Sequence, residues 1–344
     1  MRFILFFFCC TLTILNGQDA QFSQMETAPT SLNPALTGAI TGSTRLIAKS
    51  RIQWNSILAD RGIQNYYFST EYRKCVGDNF FGIGLSLQRD QLGNSLFYNQ
   101  NISLSASYHQ NLSGDLYLAA GFNAGILEYG FDENNLQFDE QFDGDGFNGT
   151  FNNFENFTAN QLMKPNIDIG LSFYNTDKKW IIGGALFHTN QPAYSFLDNQ
   201  ANNRLGVGLS LHGAITIDFG TNDKQSLLWR GIFRKQALIN NSKQWQFQGG
   251  TVYKFNLIKT NRGLWDFSVG LSGRLTGNDA DAPITLDAII PSFSFTNDRL
   301  GIHFSYDTNV STLANSTMLR GAMELTLTLD FGTVGRCLGV CPSF

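Results

Sequence analysis

The clearest signal in the chain is an alternation of apolar with small or polar positions at a period of two. Between 205 and 219, Leu205, Val207, Leu209, Leu211, Ile215, Ile217 and Phe219 alternate with Gly206, Gly208, Ser210, His212, Thr216 and Asp218; only Gly213 breaks the apolar side. Successive side chains of a strand point to opposite faces, so this segment has one greasy face and one small or polar face. The pattern recurs at Phe81, Ile83, Leu85 and Leu87, at Ile102, Leu104 and Ala106, and at Ile167, Ile169, Leu171 and Phe173. It recurs again at Phe267, Val269 and Leu271, and at Leu325, Leu327, Leu329 and Phe331. Together these segments predict fourteen strands, at 44–54, 63–74, 80–90, 97–110, 116–130, 165–175, 179–189, 203–219, 225–237, 243–258, 262–275, 283–297, 299–309 and 317–331. Most exceed the ~5–6 residues of a common globular strand. They suit the ~9–11 residues that cross a bilayer at a tilt, with some overhang.

The connections alternate in length. Those after the even-numbered strands are short: Cys75–Asn79, Asn111–Asp115, Thr176–Lys178, Gly220–Lys224, Lys259–Asn261 and Asp298. Those after the odd-numbered strands are usually longer, with Phe131–Lys164 the extreme. Short turns on one rim and long loops on the other are the layout of bacterial outer-membrane barrels. Lipid forbids an open sheet edge, so the sheet must close. The predicted fold is therefore all-β: a single 14-stranded antiparallel transmembrane β-barrel over 44–331, with short periplasmic turns and longer extracellular loops. An even strand count puts both ends on the periplasmic rim. A soluble β-sandwich or a repeat-rich secreted adhesin would have shorter strands and no two-sided loop asymmetry. No repeat of fixed period points to a propeller.

Composition sharpens this picture. Charged residues make up 15% of the chain, below the ~25% of soluble domains. Aromatics reach 13%, and Gly outnumbers Pro 34 to 7, which suits strands, tight turns and an exterior that need not face water. A net charge of −4 without a basic cluster leaves no nucleic-acid footprint. Arg2 followed by the apolar run Phe3 to Leu15 reads as a signal peptide over 1–17, cleaved after Gly17, with a buried first strand as the alternative. No later stretch approaches the ~18 apolar residues of a transmembrane helix, which excludes a helical membrane protein. Residues 18–43 carry no strand pattern and are expected to plug the barrel or to lie along the periplasmic rim. Residues 332–344 are expected to form a periplasmic tail.

Few constellations suggest chemistry. His109, His188, His212 and His303 show no metal-ligand spacing, and there is neither a Gly-x-Ser-x-Gly elbow nor a P-loop. Gly82-Ile83-Gly84 and Gly206-Val207-Gly208 fall within predicted strands, so a nucleotide-binding reading fails on context. A barrel phospholipase or protease needs a nucleophile beside a base, and none is nominated. No cofactor is expected. His212 and Asp218 share a face with Arg204 on the eighth predicted strand, either gripping a ligand or simply lining a polar lumen. The 131–164 connection is acidic and rich in Phe, suiting a loop that folds over the pore or meets a partner. Within it, Asp143 and Asp145 have the oxygen-rich setting of a calcium loop, but the acidic ladder and closing Glu of an EF-hand are missing. Three cysteines outlast the signal. Cys75 in the second turn shares the periplasmic rim with Cys337 and Cys341, so a disulfide from Cys75 to either is within reach, with free thiols as the alternative.

Several dispersed motifs resemble one family. Gln21-Phe22-Ser23-Gln24, followed by Asn33-Pro34-Ala35-Leu36-Thr37-Gly38, is similar to the opening of the PorP/SprF family. Arg51-Ile52-Gln53-Trp54 resembles its R-x-Q-W, and His188-Thr189-Asn190-Gln191-Pro192 its H-x-x-Q-P, with Arg204 and His212 following. Tyr306-Asp307, Ser311, Leu313 and Gly321 resemble its penultimate hairpin, and Cys341-Pro342-Ser343-Phe344 its C-P-x-F end. Gly321-Ala322-Met323-Glu324 departs from the family's Gly-Ser-x-Glu-like stretch, and Cys337 is an additional thiol. The resemblance implies a non-enzymatic 14-stranded outer-membrane barrel of the type IX secretion system. Such a barrel would assist export or surface anchoring of cargo with C-terminal sorting domains, such as gliding adhesins. Arg51, Trp54, His188, Arg204 and His212 are then the candidate partner-binding residues, with packing of the barrel as their alternative role. Arg51 is expected to face the lumen and Trp54 the lipid or its girdle. The competing functions are a conduit for small or hydrophobic solutes and a soluble secreted binding protein.

Overall fold

The computed structural model describes residues 21–58, 62–93, 97–132, 141–143, 146–147, 159–196, 204–219, 225–235, 244–260, 263–278 and 284–332. The strands are β1 (Thr44–Gln53), β2 (Ile63–Val76), β3 (Asn79–Leu92), β4 (Phe97–Ser113) and β5 (Leu116–Phe131). A two-residue hairpin, β6 (Phe142–Asp143) and β7 (Gly146–Phe147), follows in the longest loop. Then come β8 (Gln161–Asn175), β9 (Trp180–Phe187), β10 (Gly208–Phe219), β11 (Gln225–Lys235) and β12 (Gln244–Thr260). The chain continues through β13 (Gly263–Asn278), β14 (Thr285–Thr296), β15 (Leu300–Asn309) and β16 (Arg320–Phe331). All of these except β6 and β7 form one closed barrel of fourteen antiparallel strands, each paired with its neighbours in the barrel. Closure is made by β1 against β16, in unbroken register from Thr44 opposite Phe331 to Gln53 opposite Ala322.

The period-two pattern reads directly as outside and inside. On β3, Phe81, Ile83 and Leu85 are exposed, while Gly82, Gly84 and Ser86 face in. On β4, Ile102 and Leu104 are exposed, while Ser103, Ser105, Ser107 and His109 are buried. Near the short-turn ends of β10, β12, β13 and β14, aromatic rings form a chain along the outer wall. Phe219 meets Tyr253 at 5.9 Å, Phe255 meets Phe267 at 5.1 Å, and Phe267 meets Phe295 at 4.7 Å between centroids. Such girdles mark the level of lipid headgroups in outer-membrane barrels. On the short-turn rim, Gly77 (φ +63°) and Gly114 (φ +55°) supply the left-handed backbone that two-residue hairpins require.

Three local expectations need correction. The eighth strand begins at Gly208, not at 203, so Arg204 lies outside it and bridges to Ala193. Leu205 and Val207 continue the alternation in sequence, but Leu205 is buried against Leu127 and Tyr129, which draws the chain off the wall. Cys75 belongs to β2, paired opposite Phe80, because the turn is only Gly77–Asp78. The last strand starts at Arg320, since Ala314–Thr317 forms a single helical turn, α2.

If the exposed face meets lipid, a charge near mid-strand should be costly, and loss of one small hydroxyl on the inner face mild. Leu104→Arg is expected to lose ~2–4 kcal/mol of folding stability in bilayers, whereas Ser105→Ala should stay within ~0.5 kcal/mol. Urea titration followed by the heat-modifiable gel band checks both.

Candidate functional site

The lumen is occupied by the chain's own N-terminal segment. From Gln21 to Ser43 it forms short turns at Met25–Thr27 and Pro34–Leu36 around one helical turn, α1 (Pro29–Leu32). Prolines open α1 and the second short turn, where a missing N–H costs nothing. Phe22, Met25, Leu32, Leu36 and Ile40 are at most 2% exposed. Four of them pack with Ile47, Tyr67, Phe80, Tyr117 and Tyr174 of the wall. Full burial of such side chains stabilises by roughly 1.5–3 kcal/mol each.

The wall strands spend their backbone groups on one another, so the segment's backbone must find side-chain partners. At its upper end, nearer the long loops, Glu324 accepts hydrogen bonds from Ser23 N (2.6 Å) and Gln24 N (2.9 Å). Lys49 pairs with the same carboxylate at 2.9 Å. Arg51 stands opposite Glu324 across the closure seam; it donates to Ser23 Oγ at 3.3 Å and pairs with Asp307 at 3.1 Å. Arg274 joins Asp307 (2.8 Å) to Asp287 (2.7 Å). From the far wall, Arg230 pairs with Glu26, and Gln248 donates to Ser23 O at 2.5 Å.

Lower down, Asn33 Nδ2 donates to Leu171 O (2.9 Å), and its Oδ1 accepts from Ala35 N (2.9 Å). Thr37 O accepts from Ser107 Oγ (2.6 Å) and His109 Nε2 (3.0 Å). Gly38 N donates to Glu71 (2.9 Å), and Arg73 to Ile40 O (2.9 Å). The Asn33–Thr37 turn can come this close because glycines face it. A Cβ on Gly82, Gly121 or Gly170 would lie 2.1 Å from Thr37 O, 2.2 Å from Ala35 N or 1.9 Å from Asn33 Oδ1.

The family-like motifs, scattered along the sequence, thus meet in space: Ser23-Gln24, Arg51, Asp307 and Glu324 form one latch. Only Arg51 of that latch was a candidate from sequence, and its expected lumenal position is what the structure has. As partner contacts the five candidates divide. Arg51, His188 and His212 are each at most 4% exposed, so none offers its side chain to a partner in this state. His188 (φ +54°) instead closes a tight turn, its N–H donating to Asp168 at 2.9 Å and its Nδ1 lying 2.7 Å from Asn166 Oδ1. Trp54 is not a lipid-facing strand residue: it follows the end of β1 with φ +58°, half-buried, and its backbone N–H donates to Gly321 O at 3.1 Å. Arg204 is exposed and donates to Gln191 O at 3.1 Å, outside the strand that carries His212. Asp218 is paired with Lys179 at the short-turn rim. Cys75 faces inward at the same rim and is disulfide-bonded. Cys337, Cys341, Asp145 and the side chain of Asp143 lie outside the described residues.

Sequence reasoning passed over Glu71, Arg73, Arg274 and Asp287, and it named Asp307 and Glu324 only as parts of motifs. Their common signal is a charge on the small-polar face of a strand, where lumen, not water, is the surrounding.

A closed barrel with an apolar exterior and a charged, chain-filled interior defines a transmembrane β-barrel of the outer-membrane type. The chain belongs to the PorP/SprF family of type IX secretion system membrane proteins, which it matches over residues 14–329. It is therefore an outer-membrane component of that system, in a family of secretion components and not of enzymes. No curated protein sequence matches the chain. Among solved structures it is similar to CymD, a monoaromatic hydrocarbon channel, with a TM-score of 0.50 at 13% identity over 89% of this chain and 93% of that one. CdiB from Acinetobacter baumannii gives a TM-score of 0.45 at 10% identity over 83% of this chain, which spans only 60% of CdiB. Likeness at this level reflects the fold alone.

Removing one member of a buried ionic cluster strands the others and costs ~3–5 kcal/mol. Glu324→Gln, and separately Gly121→Val, should expose residues 21–43 to protease while the heat-modifiable barrel persists. Digestion at the wild-type rate in both variants would show that the segment does not depend on these contacts.

Proposed function

We propose that this chain is a non-conducting accessory barrel of the type IX system, acting as an adaptor for secretion machinery and for cargo with C-terminal sorting domains, gliding adhesins among them. The observation that carries this reading is the filled lumen. A segment tied to β1, β2, β4, β8, β11, β12 and β16 by buried polar contacts is poorly suited to a solute path. The work then falls to the rims and the tail. Trp54 and exposed Arg204 are the candidates that remain near the long-loop rim, and residue types of this kind often dominate interfaces.

The conduit reading draws on the shape shared with a hydrocarbon channel, but a lumen lined by Ser, Asn, Asp and Arg offers little to a hydrophobic solute. The same proposal includes export by residues 1–17 and a disulfide from Cys75 to Cys337 or Cys341, holding the tail at the short-turn rim. Peptide mapping without reductant identifies the Cys75 partner, and a Cys75 peptide linked to neither tail cysteine would remove that element.

Detergent pull-down and planar-bilayer recording together test the main reading. The expected result is co-purification of type IX components or one cargo, with no conductance from the wild type and conductance after deletion of 21–43. A wild-type barrel that comes down alone and conducts steadily is a channel instead.

A further inference from the structure

The stretch His188-Thr189-Asn190-Gln191-Pro192 does more than end β9. That strand stops at Phe187, whereas its neighbour β8 reaches up to Gln161. Their pairing ends with Ile169 opposite Leu186, so the edge of β8 above that point has no strand beside it on this side. Its backbone groups need other partners, and residues 188–191 supply them. Thr189 donates to Ile167 O from its N–H (2.9 Å) and from its Oγ1 (2.8 Å). Asn190 Oδ1 accepts from Ile167 N at 3.1 Å, and Asn190 Nδ2 donates to Pro165 O at 2.7 Å. Gln191 N closes the turn on His188 O at 2.9 Å. His188 (φ +54°) and Gln191 (φ +46°) both take left-handed backbone, which residues with a side chain rarely adopt, and the chain leaves the line of the wall.

From there it reaches β5. Leu127, Tyr129 and Phe131 lie on the inner face of β5 at its long-loop end, an apolar patch above the polar Ser103, Asn123 and Asp168 of the same lumen. The β9–β10 connection covers that patch. Tyr194 stands edge-on to Tyr129, with centroids 4.5 Å apart, and Phe196 stands edge-on to Phe131 at 5.1 Å. Leu205, on the returning arm, is buried against Leu127 and Tyr129. The two arms are tied to each other: Leu205 N donates to Pro192 O at 3.0 Å, and Ala193 bridges Arg204. Leu127 and His188 also line the lumenal cavity beside α1, so the connection borders that cavity on its long-loop side.

We propose that the β9–β10 connection is a cap, which closes the long-loop mouth over the β5–β9 side of the lumen independently of the N-terminal segment. Its base is fixed by hydrogen bonds to the free edge of β8. Its far part is pinned by Tyr194, Phe196 and Leu205 against the apolar end of β5. The cap keeps water-borne molecules on the long-loop side away from the polar wall beneath it. Release of the pin, with the base still held, is what uncovers the lumen. The barrel then has two closures of different chemistry, a polar latch on the N-terminal segment and an apolar pin at the mouth. This assignment does not depend on the secretion reading.

Cysteine labelling of the full chain in intact cells tests the cap, with a sulfonated maleimide as the probe and the chain without an added cysteine as the blank. Leu313→Cys, at a position 51% exposed on the long-loop rim, sets the rate of an open site. Leu127→Cys and Ser103→Cys, at positions 2% and 3% exposed, report on the space beneath the cap. Both are expected to label at least about tenfold more slowly than Leu313→Cys, and adding Leu205→Ser or Tyr194→Ser should return about tenfold in rate, the factor that loss of one buried apolar side chain implies. Ser103→Cys leaves the cap's own contacts intact, so it decides the matter if Leu127→Cys unseats the cap. The heat-modifiable band shows in each case that the barrel is folded. Labelling of Ser103→Cys at the rate of Leu313→Cys overturns the proposal. So does a slow rate that neither Leu205→Ser nor Tyr194→Ser raises in a folded barrel.

Discussion

Closure of the sheet between β1 and β16 is the constraint from which the rest of the molecule follows. In hydrocarbon every backbone N–H and C=O must be paired within the protein, so the two end strands have to meet along their whole length. They do so without interruption from Thr44 to Gln53. That seam also brings Lys49 and Arg51 of β1 beside Glu324 of β16, and it places them on the inner face. A barrel closed this way traps charges that cannot reach bulk water. Glu324 is satisfied by two cations and by the N–H groups of Ser23 and Gln24. The seam and the N-terminal segment thus complete each other.

The segment in turn explains features of the wall that make little sense alone. Glycines facing inward on β3, β5 and β8 weaken strands in general, yet here they are the places where another backbone comes within contact. Ser107 and His109 point at one carbonyl, Thr37 O. Buried ion pairs are a poor source of net stability, because desolvation offsets their attraction. Their contribution is geometric: each pair fixes one height of the segment against one strand.

How much of this could be read beforehand follows the same physics. Lipid imposes a greasy exterior at every second residue, so all fourteen barrel strands were legible, and the lumen's polarity with them. Loop geometry obeys no such rule. Leu205 and Val207 keep the alternation yet lie outside the strand, Leu205 being buried in a cluster with Leu127 and Tyr129. Trp54 looks like the next outward residue of β1, but its positive φ begins the loop. The latch was illegible for a different reason: Arg51 and Glu324 are neighbours only once strand register is known, and register across a closure joins opposite ends of the chain.

The motifs shared with the PorP/SprF family are therefore better understood as the architecture of an occupied barrel than as a docking surface. A residue such as Arg51, buried among Asp307, Glu324 and Ser23, constrains sequence strongly whether or not any partner approaches. The latch sits within two residues of the long-loop end of β1, just below Trp54 and the Gly321 carbonyl that anchors it. A load applied to that rim would reach Asp307 through Gly321, whose Cα leaves no room for a side chain against the Asp307 carbonyl. Rim and lumen are joined here, where Trp54, Gly321 and Asp307 touch at the long-loop end of the closure seam.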